Sequence, residues 1–419
     1  MIPPHGTVLI RGARQLITLR GPKEPRRGAA LAELGIIADG SVLIRDGILE
    51  EVGPTRRVEN LTLARGAEEI DATGRVVMPG FVDAHTRLCA RAGGACERAA
   101  EPAWHREAER GDGDGVTRKR LEWKARTWVE AMVRHGTTTL EAETDGGEGM
   151  KGLRVLAALD GTPLEVVATF LARVEGAGVF PVLAEEAGVP AVELMARIRN
   201  RRLARFVALR WPSEQERQEQ ARIVVEAAHQ LGFPLKVHDH CNGEPSGLRT
   251  AVESGAVTVD SLRCMGDEDI QALAGSGTMT TLLPAVGFHE RLGRYAPGRK
   301  LVDAGAAVAL GSGFHPVLAP TLSMQAVISL ACTRLGLTPE EAISAATVNA
   351  AYALRCAGHA GSLEYGKAAD LVMLDVSDYR DLAHHLGHNM VALTIKSGTV
   401  IYRQGGVERA LLDQLKPTA

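Results

Sequence analysis

The sequence predicts a (β/α)8 barrel of the TIM type together with a small β-sandwich domain built from both ends of the chain. Between residues 76 and 355, short apolar runs typical of buried strands alternate with amphipathic stretches typical of helices. In residues 1–75 and 356–419, β-rich runs are separated by turn residues. We therefore expect a barrel domain of residues 76–355 and a composite domain of residues 1–75 and 356–419.

The two ends of the chain resemble each other in their strand content. Residues 7–10 and 41–44 are β-rich runs, and the second is followed by the turn dipeptide Asp46-Gly47. Residues 369–374 and 393–402 repeat this style near the C-terminus. Neither end has enough strand to bury a core alone, so we expect the two to pair in one small domain.

Eight apolar runs in the central region have the length and composition of strands. They occupy residues 76–85, 138–143, 164–172, 206–211, 235–240, 257–262, 279–284 and 306–312. Amphipathic segments such as residues 118–135 lie between most of them. The alternative is an open, doubly wound sheet, but no glycine-rich phosphate loop follows an early strand, and eight alternating units favour a closed barrel.

The composition excludes several classes of protein. Lys and Arg total 48 against 51 Asp and Glu, a net charge of −3, which gives no basic footprint for nucleic acid. No apolar run approaches the ~20 residues that cross a bilayer, and the first residues lack a secretion signal. The six cysteines are scattered, as in proteins with reduced thiols. We expect a cytoplasmic protein that binds neither nucleic acid nor membrane.

In such barrels the functional residues lie at the C-terminal ends of the strands. The polar residues at these predicted ends are His85 and Arg87 after the first strand, Arg173 after the third, His238, His240 and Cys241 at the fifth, Arg263 at the sixth and His315 after the eighth. Three arginines at strand ends are a candidate anion site, with solvated or carboxylate-paired arginines as the alternative. His240, Cys241 and His315 are candidate ligands of a small molecule or, with His238, of a soft metal.

Several motifs resemble the imidazolonepropionase family of the amidohydrolase superfamily. PGFVDAHT at residues 79–86 resembles the superfamily's opening motif. RKLVDAG at 299–305, LTPEEA at 337–342, ATVNAAYAL at 346–354 and GSLEYGKAAD at 361–370 continue the resemblance over nearly the whole chain. The resemblance implies a distorted barrel with a β-sandwich, and metal-assisted opening of the imidazolone propanoate ring in histidine breakdown.

The expected metal site is substituted at most positions. The resemblance implies one metal held by a His-x-His pair, a strand-five His and a strand-eight Asp. Here His85 and His238 match, but the second His of the pair is Arg87 and the Asp is Gly313. Other departures are Val174 and Ser261 at His positions, Cys241 at an acidic position, and residues 144–147 in place of Ser-Gly-Tyr-Gly.

These substitutions predict a vestigial metal site at His85 and His238 that holds no metal. A catalytic zinc needs about three protein ligands, and the guanidinium of Arg87 stays protonated and cannot donate a lone pair. We expect no cofactor and a non-catalytic binding or partner protein. The alternative is a hydrolase of cyclic non-peptide C–N bonds with a remodelled site, which would hold zinc or iron.

The same reasoning gives two further expectations. Arg87 should be held by a carboxylate at a strand end, because a bare buried guanidinium is costly; the candidates are Asp83, Glu141, Glu143, Asp239 and Asp260. The expected ligand is an unidentified small molecule, with an anion as the candidate class. The expected protein partner is a second copy of the chain, as a homodimer, or an active paralogue.

Overall fold

The computed structural model describes residues 6–89, 117–144, 149–172, 174, 191–212, 215–239, 246–260, 264–290 and 293–405. The strands in these residues are β1 (Thr7–Ile17), β2 (Ile36–Arg45), β3 (Ile48–Pro54), β4 (Glu68–Asp71), β5 (Val76–Pro79), β6 (Phe81–Asp83), β7 (Thr137–Glu143), β8 (Glu165–Ala172), β9 (Phe206–Arg210), β10 (Leu235–His238), β11 (Thr258–Asp260), β12 (Met279–Leu282), β13 (Val308–Leu310), β14 (Leu371–Leu374), β15 (Val391–Lys396) and β16 (Thr399–Arg403).

Helices connect the central strands on the outside of the barrel. The α-helices of the described residues are Thr55–Val58, Arg118–Arg134, Gly149–Ala157, Ala191–Arg201, Gln215–Gln230, Ser246–Glu253, Asp267–Ala274, Pro284–His289, Gly298–Asp303, Met324–Leu335, Pro339–Ala345, Val348–Ala353 and Asp381–His384. Short 3-10 helices occupy Gly28–Ala32 and Thr62–Gly66. Within these residues, no helix combines the length and the apolar character that a membrane span requires.

Strands β6 to β13 form the predicted barrel. Each is parallel to the next, in chain order. The last strand meets the first where the Ala84 amide donates to the Leu310 carbonyl, at 3.4 Å. A further bridge joins Thr86 to Phe314. The prediction of eight strands that close into a barrel is therefore confirmed.

The predicted first strand, residues 76–85, is in fact two strands that serve different sheets. Val76–Pro79 pairs with β1 and β14 in the terminal sheet, whereas Phe81–Asp83 pairs with β7 in the barrel. Gly80 lies between them, and a Cβ built on it would overlap the side chain of Thr138. The chain thus crosses from one sheet to the other at a residue where only glycine fits. The predicted domain limits, 75/76 and 355/356, stay a prediction.

The strands from both ends form one mixed sheet with its own core. Its order is β16-β15-β14-β5-β1-β2-β3, with β4 added at β1. Asp46 and Gly47 both have positive φ, 49° and 82°, as the predicted two-residue hairpin turn requires. Apolar side chains from both ends, including Ile10, Leu371 and Ile395, are buried together. This confirms the small domain built from the two termini.

The helix Arg118–Arg134 shows how the outer layer holds the barrel strands. Thr117 caps it by accepting from the Arg120 amide. Its buried residues recur at helical spacing, with Leu121, Ala125 and Val129 on one face. That face packs on the side of the barrel that carries Leu140 in β7. The predicted helix over residues 118–135 is confirmed to within one residue.

Candidate functional site at the barrel mouth

The C-terminal ends of β6, β7, β10 and β11 bring a cluster of ionisable side chains together inside the barrel. Alternate residues of a strand share a face, so Glu141 and Glu143 of β7 both point inward, as do Lys236 and His238 of β10. His85 follows β6, and Asp260 ends β11 beside His238, its partner in the parallel register. All six side chains are buried. We call these six residues and Arg87 the mouth cluster.

Glu143 and His238 form the centre of this cluster. His238 Nε2 lies 2.5 Å from Glu143 Oε2, and His238 Nδ1 lies 2.8 Å from Asp260 Oδ2. Arg87 Nε donates to the other Glu143 oxygen, Oε1, at 3.1 Å. The expectation that a strand-end carboxylate holds Arg87 is therefore confirmed. Both nitrogens of His238 are engaged by carboxylates, which is the arrangement of a doubly protonated imidazolium.

A second ion pair lies deeper in the barrel. Lys236 Nζ is 2.5 Å from Glu141 Oε1 and 5.0 Å from the centre of the Phe206 ring. Thr169 Oγ1 donates to the same glutamate oxygen at 2.6 Å. The other oxygen, Glu141 Oε2, has no hydrogen-bond partner among the described residues and faces His85 Nδ1 at 3.4 Å. Lys236 was not singled out in the sequence, although its position two residues before His238 places it on the same inward face.

The electrostatic consequences agree with these contacts. Burial alone would lower the pKa of His238, but Asp260 and Glu143 outweigh burial and raise the pKa to about 9. Burial would raise the pKa of Glu143, but His238 and Arg87 bring it well below its usual range. Asp83, beneath the cluster, is fully buried, and this desolvation raises its pKa to about 6 despite hydrogen bonds from the Ser312 and His85 amides.

Among the residues that the structure describes, those that could hold a metal are His85, His238 and Asp260, whose ligand atoms lie within 4.8 Å of one another. Two imidazoles and a carboxylate are suitable donors for zinc or iron. Their arrangement fits a metal less well. Metal–ligand bonds of about 2.1 Å keep neighbouring ligand atoms roughly 3.4 Å apart. The distance of 3.6 Å between His85 Nδ1 and Asp260 Oδ2 is close to this value. The distance of 2.8 Å between His238 Nδ1 and Asp260 Oδ2 is instead that of a hydrogen bond. A metal does not fit this arrangement unless His238 gives up a carboxylate.

The eighth strand offers no ligand at the expected position. Gly313 has φ of +62°, and a Cβ built there would overlap Val286 Cγ2. An aspartate at this place would therefore be strained and would clash. His315, a candidate ligand from the sequence, uses its Nδ1 to accept from the amides of Val317 and Leu318 at 3.2 and 3.1 Å. Through these two hydrogen bonds, His315 Nδ1 orders the loop that follows the last barrel strand.

Several of the sequence candidates cannot be placed. Arg173, His240, Cys241 and Arg263 lie outside the residues that the structure describes. The proposed grouping of three arginines at the mouth stays a prediction, as does the soft-metal grouping of His240, Cys241 and His315 with His238. Asp239, one of the partners considered for Arg87, instead accepts from the Leu248 amide at 3.3 Å.

Comparison with known proteins places the chain in a family. The sequence profile described as "Amidohydrolase family" matches residues 76–401. An imidazolonepropionase of Chloroflexus aggregans is 37% identical over 94% of this chain and 98% of its own length. One from Solibacter usitatus is 35% identical over 93% of this chain and 97% of its own length.

Solved structures share the architecture at low sequence identity. An adenosine deaminase from Xanthomonas campestris with bound zinc superimposes with a TM-score of 0.72 at 18% identity, covering 98% of this chain and 97% of that one. A triazine hydrolase variant gives a TM-score of 0.73 at 18% identity and covers 98% of both chains. At this identity the likeness establishes the fold alone. With the family profile over most of its length and relatives that are 37% and 35% identical, the chain belongs to the amidohydrolase family as an imidazolonepropionase-like member.

Proposed function

We propose that this chain binds a small molecule at the barrel mouth and does not open the imidazolone propanoate ring by metal-assisted hydrolysis. The observation that carries the proposal is the engagement of His238. Glu143 and Asp260 contact its two nitrogens at 2.5 and 2.8 Å. A histidine ligates metal through a nitrogen lone pair, and here each ring nitrogen of His238 is already engaged by a carboxylate.

Charge balance supports the same conclusion. Arg87, Lys236 and the His238 imidazolium supply three positive charges, and Glu141, Glu143 and Asp260 supply three negative charges. Buried charges are stable when they are paired and hydrogen-bonded. These six side chains neutralise one another, so their pairs do not need a divalent cation for charge balance.

The loss of hydrolysis follows from the source of the nucleophile. In metal-dependent hydrolases the ion lowers the pKa of its bound water to about 7, which makes hydroxide available at neutral pH. Arg87 and Lys236 cannot take over this role, because a guanidinium or ammonium has no open coordination position for water. Without hydrolysis, the function proposed for the closed barrel with its charged mouth is binding of a small molecule.

The chemistry of the ligand is part of the proposal. A small anion would suit Arg173 and Arg263 if their side chains turn toward the mouth beside Arg87. A homodimer or a complex with an active paralogue is the proposed assembly, and the cytoplasm is the proposed location. These features rest on the sequence.

One observation favours a second candidate function. His85, His238 and Asp260 are close enough to share a metal, so a rearranged site could hold zinc or iron and hydrolyse a cyclic non-peptide C–N bond. For this, His238 must release Glu143 or Asp260. The metal would supply the activated water, while Asp260 and His85 would hold the metal from the strand ends.

Metal content and turnover distinguish the two functions. We expect protein purified without added metal to contain far less than one equivalent of zinc or iron, by elemental analysis, and to show no opening of 4-imidazolone-5-propanoate. One equivalent per chain that is lost in His238→Ala and kept in His229→Ala, a matched change on an exposed helix position, would support the second function. Turnover in the ordinary enzyme range of ~1–1000 per second would refute the first.

A further inference from the structure

The mouth cluster contains an arginine–glutamate pair whose glutamate contacts His238 Nε2. Glu143 contacts His238 through Oε2 and Arg87 through Oε1, and its side chain is completely buried. We infer that Arg87 and Glu143 act together as a latch that occupies His238 Nε2, and that this latch, together with the missing ligand at position 87, keeps the site free of metal. The inference rests on the proposed function and extends it.

The two nitrogens of His238 have different partners, and this difference identifies the metal-facing atom. Nδ1 is held by Asp260, and the strands of these two residues are paired in register at His238 and Asp260. That contact is therefore fixed by the sheet itself. A carboxylate behind one imidazole nitrogen is the usual way to orient the other toward a metal. Asp260 is thus a positioning residue, and Nε2 is the atom that a metal would need.

Glu143 occupies that atom, and Arg87 keeps Glu143 in place. Residue 87 follows β6 and Glu143 ends β7, the neighbouring strand, so the pair spans two adjacent strand ends. The Arg87 amide also donates to the Phe314 carbonyl at 2.8 Å, which fixes its backbone across the barrel seam. The pair thus holds one carboxylate against Nε2 from a rigid position.

Each half of the latch blocks metal in a different way. With Arg87 changed alone, Glu143 still contacts His238 Nε2. With Glu143 changed alone, the guanidinium remains as a fixed positive charge next to the place of the metal, and it repels a dication. Metal binding should therefore appear only when both residues are changed, which is a non-additive effect between neighbouring residues.

The experiment measures binding of Co²⁺ and Zn²⁺ by titration calorimetry, with the visible absorption of Co²⁺ as a second readout. The variants are Arg87→His, Glu143→Ala and the combination of both. With Asp260 kept as the group that orients His238, the histidine at position 87 joins His85 and His238 as the third ligand, which is the number that a zinc site needs. We expect the double variant to bind about one ion per chain, at least ~10-fold more tightly than either single variant.

Two additions keep the test decisive. If Glu143→Ala unfolds the chain, Glu143→Ser in its place keeps a polar group but is too short to reach His238 Nε2. Adding Asp260→Asn to the double variant should weaken Co²⁺ binding by ~10–100-fold, because it removes the group that orients His238. The matched control is Arg205→His with Glu165→Ala, which alters an arginine–glutamate–histidine set at the opposite end of the barrel. This control should not gain the visible absorption of a Co²⁺ ion bound in a buried site.

The outcomes separate this inference from the proposed function. A folded double variant that binds Co²⁺ no better than the single variants overturns the latch and leaves the proposed function standing. Arg87→His binding as tightly as the double variant also overturns it, since Glu143 would then be no obstacle. An unmodified protein that carries one equivalent of metal overturns both.

Discussion

The two ends of the barrel carry similar sets of residues in different surroundings. At the mouth, Glu143 is shared by Arg87 and His238; at the base, Glu165 at the start of β8 is shared by His359 at 2.9 Å, Arg205 at 3.5 Å and Lys396 at 3.7 Å. The histidines show the contrast. The His238 side chain is 1% exposed and that of His359 is 47% exposed.

The contrast shows that solvent access decides what such a set of charges does. At the base, water screens the pairs that Glu165 makes with the exposed Arg205 and His359. These pairs, with the more buried Lys396, join β8 of the barrel to His359 and to the terminal sheet. At the mouth, every charge except the partly exposed Arg87 has lost its water and depends on its partner, so the removal of one residue affects the others. Three changes, from the largest expected effect to the smallest, test this difference.

Lys236→Met should have the largest effect. It leaves the Glu141 carboxylate, which is fully buried, with Thr169 as its remaining hydrogen-bond donor. Loss of one partner of a buried ion pair costs roughly 3–5 kcal/mol in the free energy of unfolding. Urea denaturation measures this change in the free energy of unfolding. The double change Lys236→Met with Glu141→Gln should recover a large part of the loss, and a single variant as stable as the unmodified protein would contradict the account of the mouth.

Arg87→Ala should cost less, about 2 kcal/mol in the free energy of unfolding. The Arg87 side chain is 20% exposed, and Glu143 keeps its contact with His238 after the change. Arg45→Ala, at an exposed arginine whose ion pair is 3.8 Å long, serves as control and should change stability by less than ~0.5 kcal/mol. Equal effects of the two variants in urea denaturation would show that Arg87 is a solvated side chain without a role.

Glu165→Gln should have the smallest effect, about 1 kcal/mol, because its partners Arg205 and His359 are more than a third exposed. The effect should depend on pH. Burial alone would raise the pKa of Glu165, but the hydrogen bond with His359 and the charges of Lys396 and Arg205 lower it to about 2. A lowered carboxyl pKa stabilises the fold above the ordinary value of 4.5 and ceases to do so as pH falls toward 2.

Thermal unfolding at a series of pH values checks this prediction. The difference in melting temperature between the unmodified protein and Glu165→Gln should be fully present at pH 5.5 and should narrow between about pH 4.5 and 2. Glu68→Gln, at an exposed glutamate in β4, should show no such trend. A difference that grows on acidification would mean that Glu165 is not ionised in its pairs.

The architecture could be predicted from the sequence because it depends on local patterns. Apolar runs at strand length, amphipathic helices between them and the Asp46-Gly47 turn each specify their element with few long-range contacts. The crossing at Gly80 was missed, since a continuous apolar run from 76 to 83 does not show that its halves pair with different sheets. Among the site residues, His85, Arg87 and His238 were identified by their places at strand ends.

The sequence by itself determined the family and the eight strands, and it predicted that Arg87 and Gly313 replace metal ligands, because these are properties of residue type and order. Only the tertiary structure decided that Glu143 joins Arg87 to His238, that Asp260 holds the other nitrogen, and that Val286 leaves no room for a side chain at Gly313. These residues are distant in the chain, and five carboxylates were candidates for Arg87. The choice among them depends on which strands are neighbours and which way each side chain points, and barrel closure sets both.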